Sequence, residues 1–223
     1  KYAGGSGILK ETFKLKDQGK RRLGLRYDLT VPLARIIGMN PNIKMPFKRY
    51  QIGEVFRDGP LKTGRYRQFT QCDVDVIGIK QMTVDSEILA LTKDVFTKLN
   101  LDVVIKVNNR KLLNGILNQV KISKNKQESI LISLDKIEKI GIDEVKKELR
   151  QKRLDKEQMD ELLEIITESG KNKYKLNKVK NFIDNEEGLA GIKEIEELLN
   201  YLEILDTEVV LDELKIWLES HIV

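Results

Sequence analysis

A chain of 223 residues has room for one large domain or two small ones, and 40% hydrophobic residues suffice for a core. With 34% charged residues and no apolar run near the length of a membrane span, the composition excludes a membrane-spanning helix and predicts a soluble, cytoplasmic protein. One cysteine, Cys72, rules out an internal disulfide; one histidine, His221, rules out a paired-imidazole site; a net charge of +5 permits nucleic-acid contact without requiring it.

Gly4, Gly5 and Gly7 around Ser6 predict a flexible loop entering a strand, because the strand–loop–helix context of a phosphate-cradling loop is missing. Residues 10–27 predict two short strands around a turn at Asp17-Gln18-Gly19, with Phe13 and Leu15 alternating in the first and Leu23 and Leu25 in the second. Thr30 is placed as the N-cap of an apolar helix through Leu33, Ile36 and Ile37, with Pro32 in its first turn and Gly38 at its end. Asp28 and Thr30 therefore sit at a strand-to-helix junction, and taken alone they read as capping residues.

Residues 47–57 and 65–78 are two β-like runs around a loop containing Gly59, Pro60 and Gly64, the pattern of a hairpin with a long connection. Alternation places Phe69, Gln71, Asp73 and Asp75 on one face of the second run and Thr70, Cys72, Val74 and Val76 on the other. The apolar face suits a helical layer behind the sheet, with Cys72 as a buried structural thiol. The polar face suits a wet or ligand-filled cleft. Arg57, Arg65 and Arg67 gather where the loop meets the strands, and guanidinium groups beside carboxylates and an amide suit a small anionic ligand. Asp73 and Asp75 also permit a metal pair or an acid/base dyad, but no third ligand or histidine accompanies them.

Residues 83–99 predict a helix with Val84, Ile88, Leu91, Val95 and Leu99 near one face, and residues 101–107 an alternating strand. The first hundred residues thus form an α+β pattern without the helix-alternating parallel array of a Rossmann fold. From about Arg110 charged helices take over. Residues 155–169, with Gly170 just beyond, and 185–205 are the clearest, and shorter ones are expected between 110 and 150.

The order Leu25-Arg26-Tyr27-Asp28-Leu29-Thr30, Phe56-Arg57, Gly64-Arg65-Tyr66-Arg67-Gln68-Phe69 and Gln71-Cys72-Asp73-Val74-Asp75 resembles the histidyl-tRNA synthetases, class II aminoacyl-tRNA synthetases, in the variant typical of archaea and eukaryotes. The resemblance is strong over residues 1–110 and similar in plan to about 205. It implies part of the class II antiparallel sheet flanked by helices: residues 1–109 as a partial catalytic domain with motif 2, 110–205 as an all-helical insertion domain, and 206–223 as a return towards the catalytic domain or a tail. It implies ATP-dependent activation of L-histidine and transfer to tRNA(His), in a homodimer at full length, with Mg2+ accompanying ATP. Arg57 resembles the motif 2 arginine that bridges the histidine carboxylate and the α-phosphate. Asp28, Thr30, Gln71 and Asp75 match histidine-binding positions; Arg65, Arg67 and Phe69 match ATP-binding ones, the last as a platform under adenine. No metal-binding residues are implied. Motif 1, the later histidine-specific motifs and motif 3 have no counterpart in this sequence, so it is expected to be incomplete for activity. The same features leave open a non-catalytic relative, the regulatory subunit of ATP phosphoribosyltransferase in histidine biosynthesis, and a helical RNA-binding module.

Overall fold

The computed structural model describes residues 5–212. The chain divides into two compact units, Lys1–Lys80 and Gln81–Val223.

The first unit runs α1 (Gly5–Glu11), β1 (Lys14–Lys16), β2 (Arg22–Gly24), α2 (Thr30–Met39), β3 (Phe47–Phe56) and β4 (Gln68–Ile77). The segment expected to be a glycine-rich loop is a short helix. The Thr12 hydroxyl donates to the Ile8 carbonyl at 2.6 Å, and the Glu11 carbonyl at the helix end accepts from the Asp58 N–H at 2.6 Å. That tertiary tie overrides the weak helix propensity of the glycines. β1 and β2 pair antiparallel around the expected turn, where Asp17 accepts from the backbone N–H and guanidinium of Arg21.

α2 begins one residue earlier than a Thr30 cap requires. Thr30 is its first residue, and the Asp28 carboxylate accepts from the Val31 N–H at 2.9 Å, so the aspartate does the capping. Gly38 lies inside α2. The helix ends at Met39, and Asn40 closes it by donating its side-chain amide to the Ile36 carbonyl at 2.8 Å.

β3 and β4 form the expected hairpin, antiparallel along its length from Phe47 opposite Ile77 to Phe56 opposite Gln68. The packing of its faces differs from expectation. Tyr50 and Ile52 are 76% and 63% exposed, and Cys72 is exposed rather than buried. The covered face is the polar one. Leu29 at the entry to α2 packs there, over Gly53, and is fully buried beside Val55. A helix entry tied by polar bonds thus lies over the polar side of the sheet, leaving the apolar side open.

The second unit contains α3 (Thr83–Lys98), β5 (Lys106–Val107), α4 (Arg110–Gln119), α5 (Lys124–Leu134), α6 (Ile137–Ile140), α7 (Ile142–Gln151), α8 (Lys156–Ile166), α9 (Asn172–Phe182), α10 (Glu186–Ile204) and β6 (Val210–Leu211). α3 has the expected span, but Val84, Ser86 and Leu89 are its buried residues, whereas Leu91, Val95 and Leu99 are exposed. The strand expected over 101–107 shrinks to two residues because its only partner among the described residues is β6, which is equally short and parallel. α8 ends at Ile166, short of Gly170, and opens with a reciprocal capping box between Asp155 and Gln158. α10 is capped by Asn185, whose side chain accepts from the Gly188 N–H. One apolar core, from Leu89 through Ile116, Leu131, Leu149, Leu162 and Ile195 to Leu211, joins these helices. No described helix is long and apolar enough to cross a membrane. His221 lies outside the described residues.

Candidate active site

The site grows from the segment that precedes α2. Arg26 lies beside β3: its carbonyl accepts from the Phe56 N–H at 2.8 Å, and its guanidinium donates twice to the Glu54 carbonyl, at 2.9 and 2.6 Å. Two further arginines reach the same segment. Arg57 Nε lies 3.5 Å from the Tyr27 carbonyl, and Arg49 Nη2 donates to the Leu29 carbonyl at 3.0 Å. Asp28 is thereby fixed between two tethered carbonyls, against the hairpin. Its Oδ1 caps α2. Thr30 is exposed and its hydroxyl has no hydrogen bond among the described residues.

The antiparallel register sets Arg49 opposite Asp75, Gln51 opposite Asp73, Gly53 opposite Gln71 and Val55 opposite Phe69, all on the covered face. Arg49 is the centre of this face. It donates to Gln51 Oε1, and its Nη2 lies 2.8 Å from Asp75 Oδ2. That contact is ionic but out of line with the N–H bonds, since the same Oδ2 has no hydrogen bond. Gln71 donates to Asp73 at 2.6 Å, which leaves its Oε1 free. Arg49 Nε, Gln71 Oε1 and Asp75 Oδ2 are all buried without hydrogen-bond partners. Such groups are uncommon in native proteins and mark places where water or a ligand belongs. Gly53, opposite Gln71, leaves the space that Leu29 and the Arg26 guanidinium fill.

Arg57, at the end of β3, has a different environment. Its guanidinium carbon lies 4.7 Å from the centre of the Tyr27 ring and 5.1 Å from that of Phe69. Among the described residues no carboxylate lies within ion-pair distance, and its two terminal nitrogens make no hydrogen bond. The Tyr27 hydroxyl donates to Glu11 at 3.3 Å. Burial pushes that hydroxyl's pKa up and Glu11 adds to the effect, against the opposing charge of Arg57. Arg65 and Arg67 are exposed on the loop. Arg65 closes a tight turn with Lys62, and Arg67 donates to the Gly59 carbonyl at 3.3 Å near Asp58.

The outer face is arranged separately: Gln68 and Thr70 donate to Glu54, and these hydrogen bonds hold its carboxyl below the usual range. No group of three or more His, Cys, Asp or Glu side chains suited to a metal occurs among the described residues.

Arg49 and Tyr27 were not among the residues that the sequence marks out, although both lie in segments that it does. Counting outward from Arg57 and Arg65, the ends of the two predicted runs, sets Arg49 against Asp73; the observed register, with Arg57 bonded to Arg67, moves it to Asp75. Nothing in the sequence sets Tyr27 against Arg57, since that contact is made between separate elements.

A short antiparallel hairpin backed by a helix entry, followed by a helical unit, matches the α+β plan of class II aminoacyl-tRNA synthetases. The sequence model described as "Histidyl-tRNA synthetase" matches residues 2–215. Histidine–tRNA ligase 1 of Bacillus cereus is 46% identical over 202 residues, 91% of this chain and 47% of that protein. Histidine–tRNA ligase 2 of Shouchella clausii is 44% identical over 207 residues, 92% of this chain and 48% of that one. The crystal structure of histidyl-tRNA synthetase from Nostoc sp. PCC 7120 superposes with a TM-score of 0.79 at 30% identity, over 91% of this chain and 49% of that one. The chain belongs to the histidyl-tRNA synthetase family and spans about half the length of the curated relatives it matches. These relatives are bacterial and lend no support to an archaeal or eukaryotic type. A Bacillus halodurans structure described as an ATP phosphoribosyltransferase regulatory subunit/histidyl-tRNA synthetase also superposes, with a TM-score of 0.75 over 88% of this chain and 50% of that one, but at 21% identity the likeness is one of fold.

Proposed function

We propose that this chain carries the histidine- and ATP-facing half-site of a histidine–tRNA ligase. Such an enzyme activates L-histidine with ATP and transfers it to tRNA(His). The observation that carries this reading is Arg57, a half-buried guanidinium whose terminal nitrogens meet no acid among the described residues. Joining a carboxylate to the α-phosphate of ATP brings two anions together, so a cation must offset their repulsion and the charge that develops between them. Arg57 would span both groups as the catalytic residue. Each charge-assisted hydrogen bond of this kind is worth about 1.5–3 kcal/mol.

Around it, the free oxygen of Asp28 and the Thr30 hydroxyl would hold the substrate ammonium, while Gln71 Oε1 and the Asp75 carboxylate would accept from the imidazole and ammonium N–H groups. Arg65 and Arg67, both on the exposed loop, would meet the ATP phosphates. Phe69 would lie under the adenine with the part of its ring that Arg57 leaves free. Magnesium accompanies ATP in this family, but the described residues offer it no ligand cluster of their own, and none of these residue roles depends on it.

We assign residues 1–109 to a partial catalytic domain, 110–205 to a helical insertion whose lysines would contact tRNA, and 206–223 to a return towards the catalytic domain or a C-terminal tail. The compact units divide earlier, at Lys80, because α3 packs on α10. At full length the protein would act as a homodimer. The regulatory-subunit reading has less support: the named relatives above 40% identity are histidine–tRNA ligases.

The test is Arg57→Ala in the protein carrying this chain. Histidine-dependent ATP–pyrophosphate exchange should fall at least a hundredfold, about 2.7 kcal/mol of transition-state stabilisation, with the thermal unfolding midpoint unchanged. Wild-type exchange in this variant would remove the assignment.

A further inference from the structure

We infer that Tyr27 is a positioning residue for Arg57. Its ring, with that of Phe69, holds the guanidinium in place without using the charge or the donors that the ligand needs. This rests on Arg57 acting as the catalytic cation proposed for it.

Three other arginines of this unit lie beside carboxylates: Arg21 pairs with Asp17, Arg49 with Asp75, and Arg67 lies 3.9 Å from Asp58. A carboxylate neighbour cancels positive charge. A cation that must receive two anions at once cannot be held that way. Arg57 is held by π-faces instead, with its carbon 4.7 and 5.1 Å from the two ring centres, inside the roughly 6 Å reach of a cation–π contact. Its only side-chain hydrogen bond among the described residues is the long one from Nε to the Tyr27 carbonyl. The guanidinium edge that carries four N–H bonds stays open.

Tyr27 is built to serve as such a support. Arg26 before it is bonded to β3 through both its carbonyl and its guanidinium. Its hydroxyl is anchored on Glu11, and the Glu11 carbonyl in turn holds the Asp58 N–H, one residue beyond Arg57. The ring and the arginine it supports are therefore tied to the same turn of chain. Phe69 stands on β4 opposite Val55, and Arg57 itself bonds to Arg67 across the start of that strand. One ring comes from the segment before α2 and the other from β4.

The role belongs to the π-face and not to the hydroxyl. Tyr27→Phe should keep exchange within about twofold of wild type, and Tyr27→Leu should lower its kcat about tenfold, between the effects of an exposed and a desolvated cation–π contact. Because a leucine could disturb folding, the decisive series replaces Tyr27 by phenylalanine and by phenylalanines of increasing fluorination. These keep the shape while draining the negative ring face. Exchange should fall stepwise along the series at a constant thermal midpoint. In an Arg57→Ala background the same series should leave calorimetric L-histidine affinity flat.

A flat exchange series, or a loss in Tyr27→Phe as large as in Tyr27→Leu, would overturn the inference while leaving Arg57's role intact if Arg57→Ala is inactive. Full exchange in Arg57→Ala would instead overturn the role of Arg57 and the inference with it.

Discussion

Arg49 and Asp75 show what a β-register does to two charged side chains. They are directly opposed across the hairpin, and their side chains are only 12% and 23% exposed. A buried ion pair is costly to desolvate, and removing one member leaves the other uncompensated, at about 3–5 kcal/mol. Asp75→Ala would therefore confound recognition with folding. Asp75→Asn keeps an oxygen near Arg49 and removes the charge an imidazolium or ammonium would see. We expect it to weaken L-histidine binding at least tenfold, about 1.4 kcal/mol, and to leave ATP binding nearly unchanged, as titration calorimetry with each ligand can measure. Equal loss for both ligands would indicate a collapsed strand instead of a lost contact. Of the proposed site, the residues the sequence marks out are those whose type and order carry the resemblance, Asp28, Arg57, Gln71 and Asp75 among them. The residues that orient them, Arg49 and Tyr27, act through register and through contacts between elements, which composition and spacing do not encode.

Among the elements, α4 and α10 approach each other backbone to backbone at their glycines. A Cβ added to Gly115 would lie 2.2 Å from the Gly188 Cα, and one added to Gly191 would lie 2.3 Å from the Leu112 nitrogen. The two N-caps stitch the pair together: Asn185 donates to the Gly115 carbonyl at 2.9 Å, and Asn109, which caps α4, donates to Glu194 on α10 at 2.8 Å. Backbone against backbone cannot give way as a side-chain tip can. Gly115→Ala should therefore destabilise the helical unit by about 1–3 kcal/mol or more, the usual range for overpacking. Gly38→Ala is the control: it too is a helical glycine, but its Cβ would meet nothing within 4 Å. It should be neutral or stabilising by up to about 1 kcal/mol. Chemical denaturation of both variants reads the contrast, and equal effects would show that the close approach does not limit the helical unit. α10 was readable to within a residue at each end because its apolar period is long and its cap is explicit. The buried side of α3 was not, since Leu89 rather than Leu91 or Val95 meets the core, and two apolar rows on one helix cannot be ranked without the neighbour that covers one of them.

At the scale of the molecule, catalytic signature and stability reside in different places. Every buried residue of the continuous apolar core lies at Leu89 or beyond, while every residue of the proposed site lies before Lys80. In the first unit the buried apolar side chains among the described residues are Leu29, Leu33 and Val55, each worth about 1.5–3 kcal/mol of burial. β1 and β2 are exposed along their whole length. Small units rarely hold together on so little burial. The α+β plan was legible because hairpin alternation and helical periodicity are local patterns. Which half carries the core was not, because burial depends on how distant helices meet. Residues 81–223 expressed alone should fold, giving a helical circular dichroism spectrum and a sigmoidal thermal transition. Residues 1–80 alone should lack a cooperative transition, because their polar face is fixed by hydrogen bonds that water can replace, with little apolar burial behind them. A sigmoidal melt from 1–80, or a gradual one from 81–223, would show that the stability of this chain is not concentrated in its helical core.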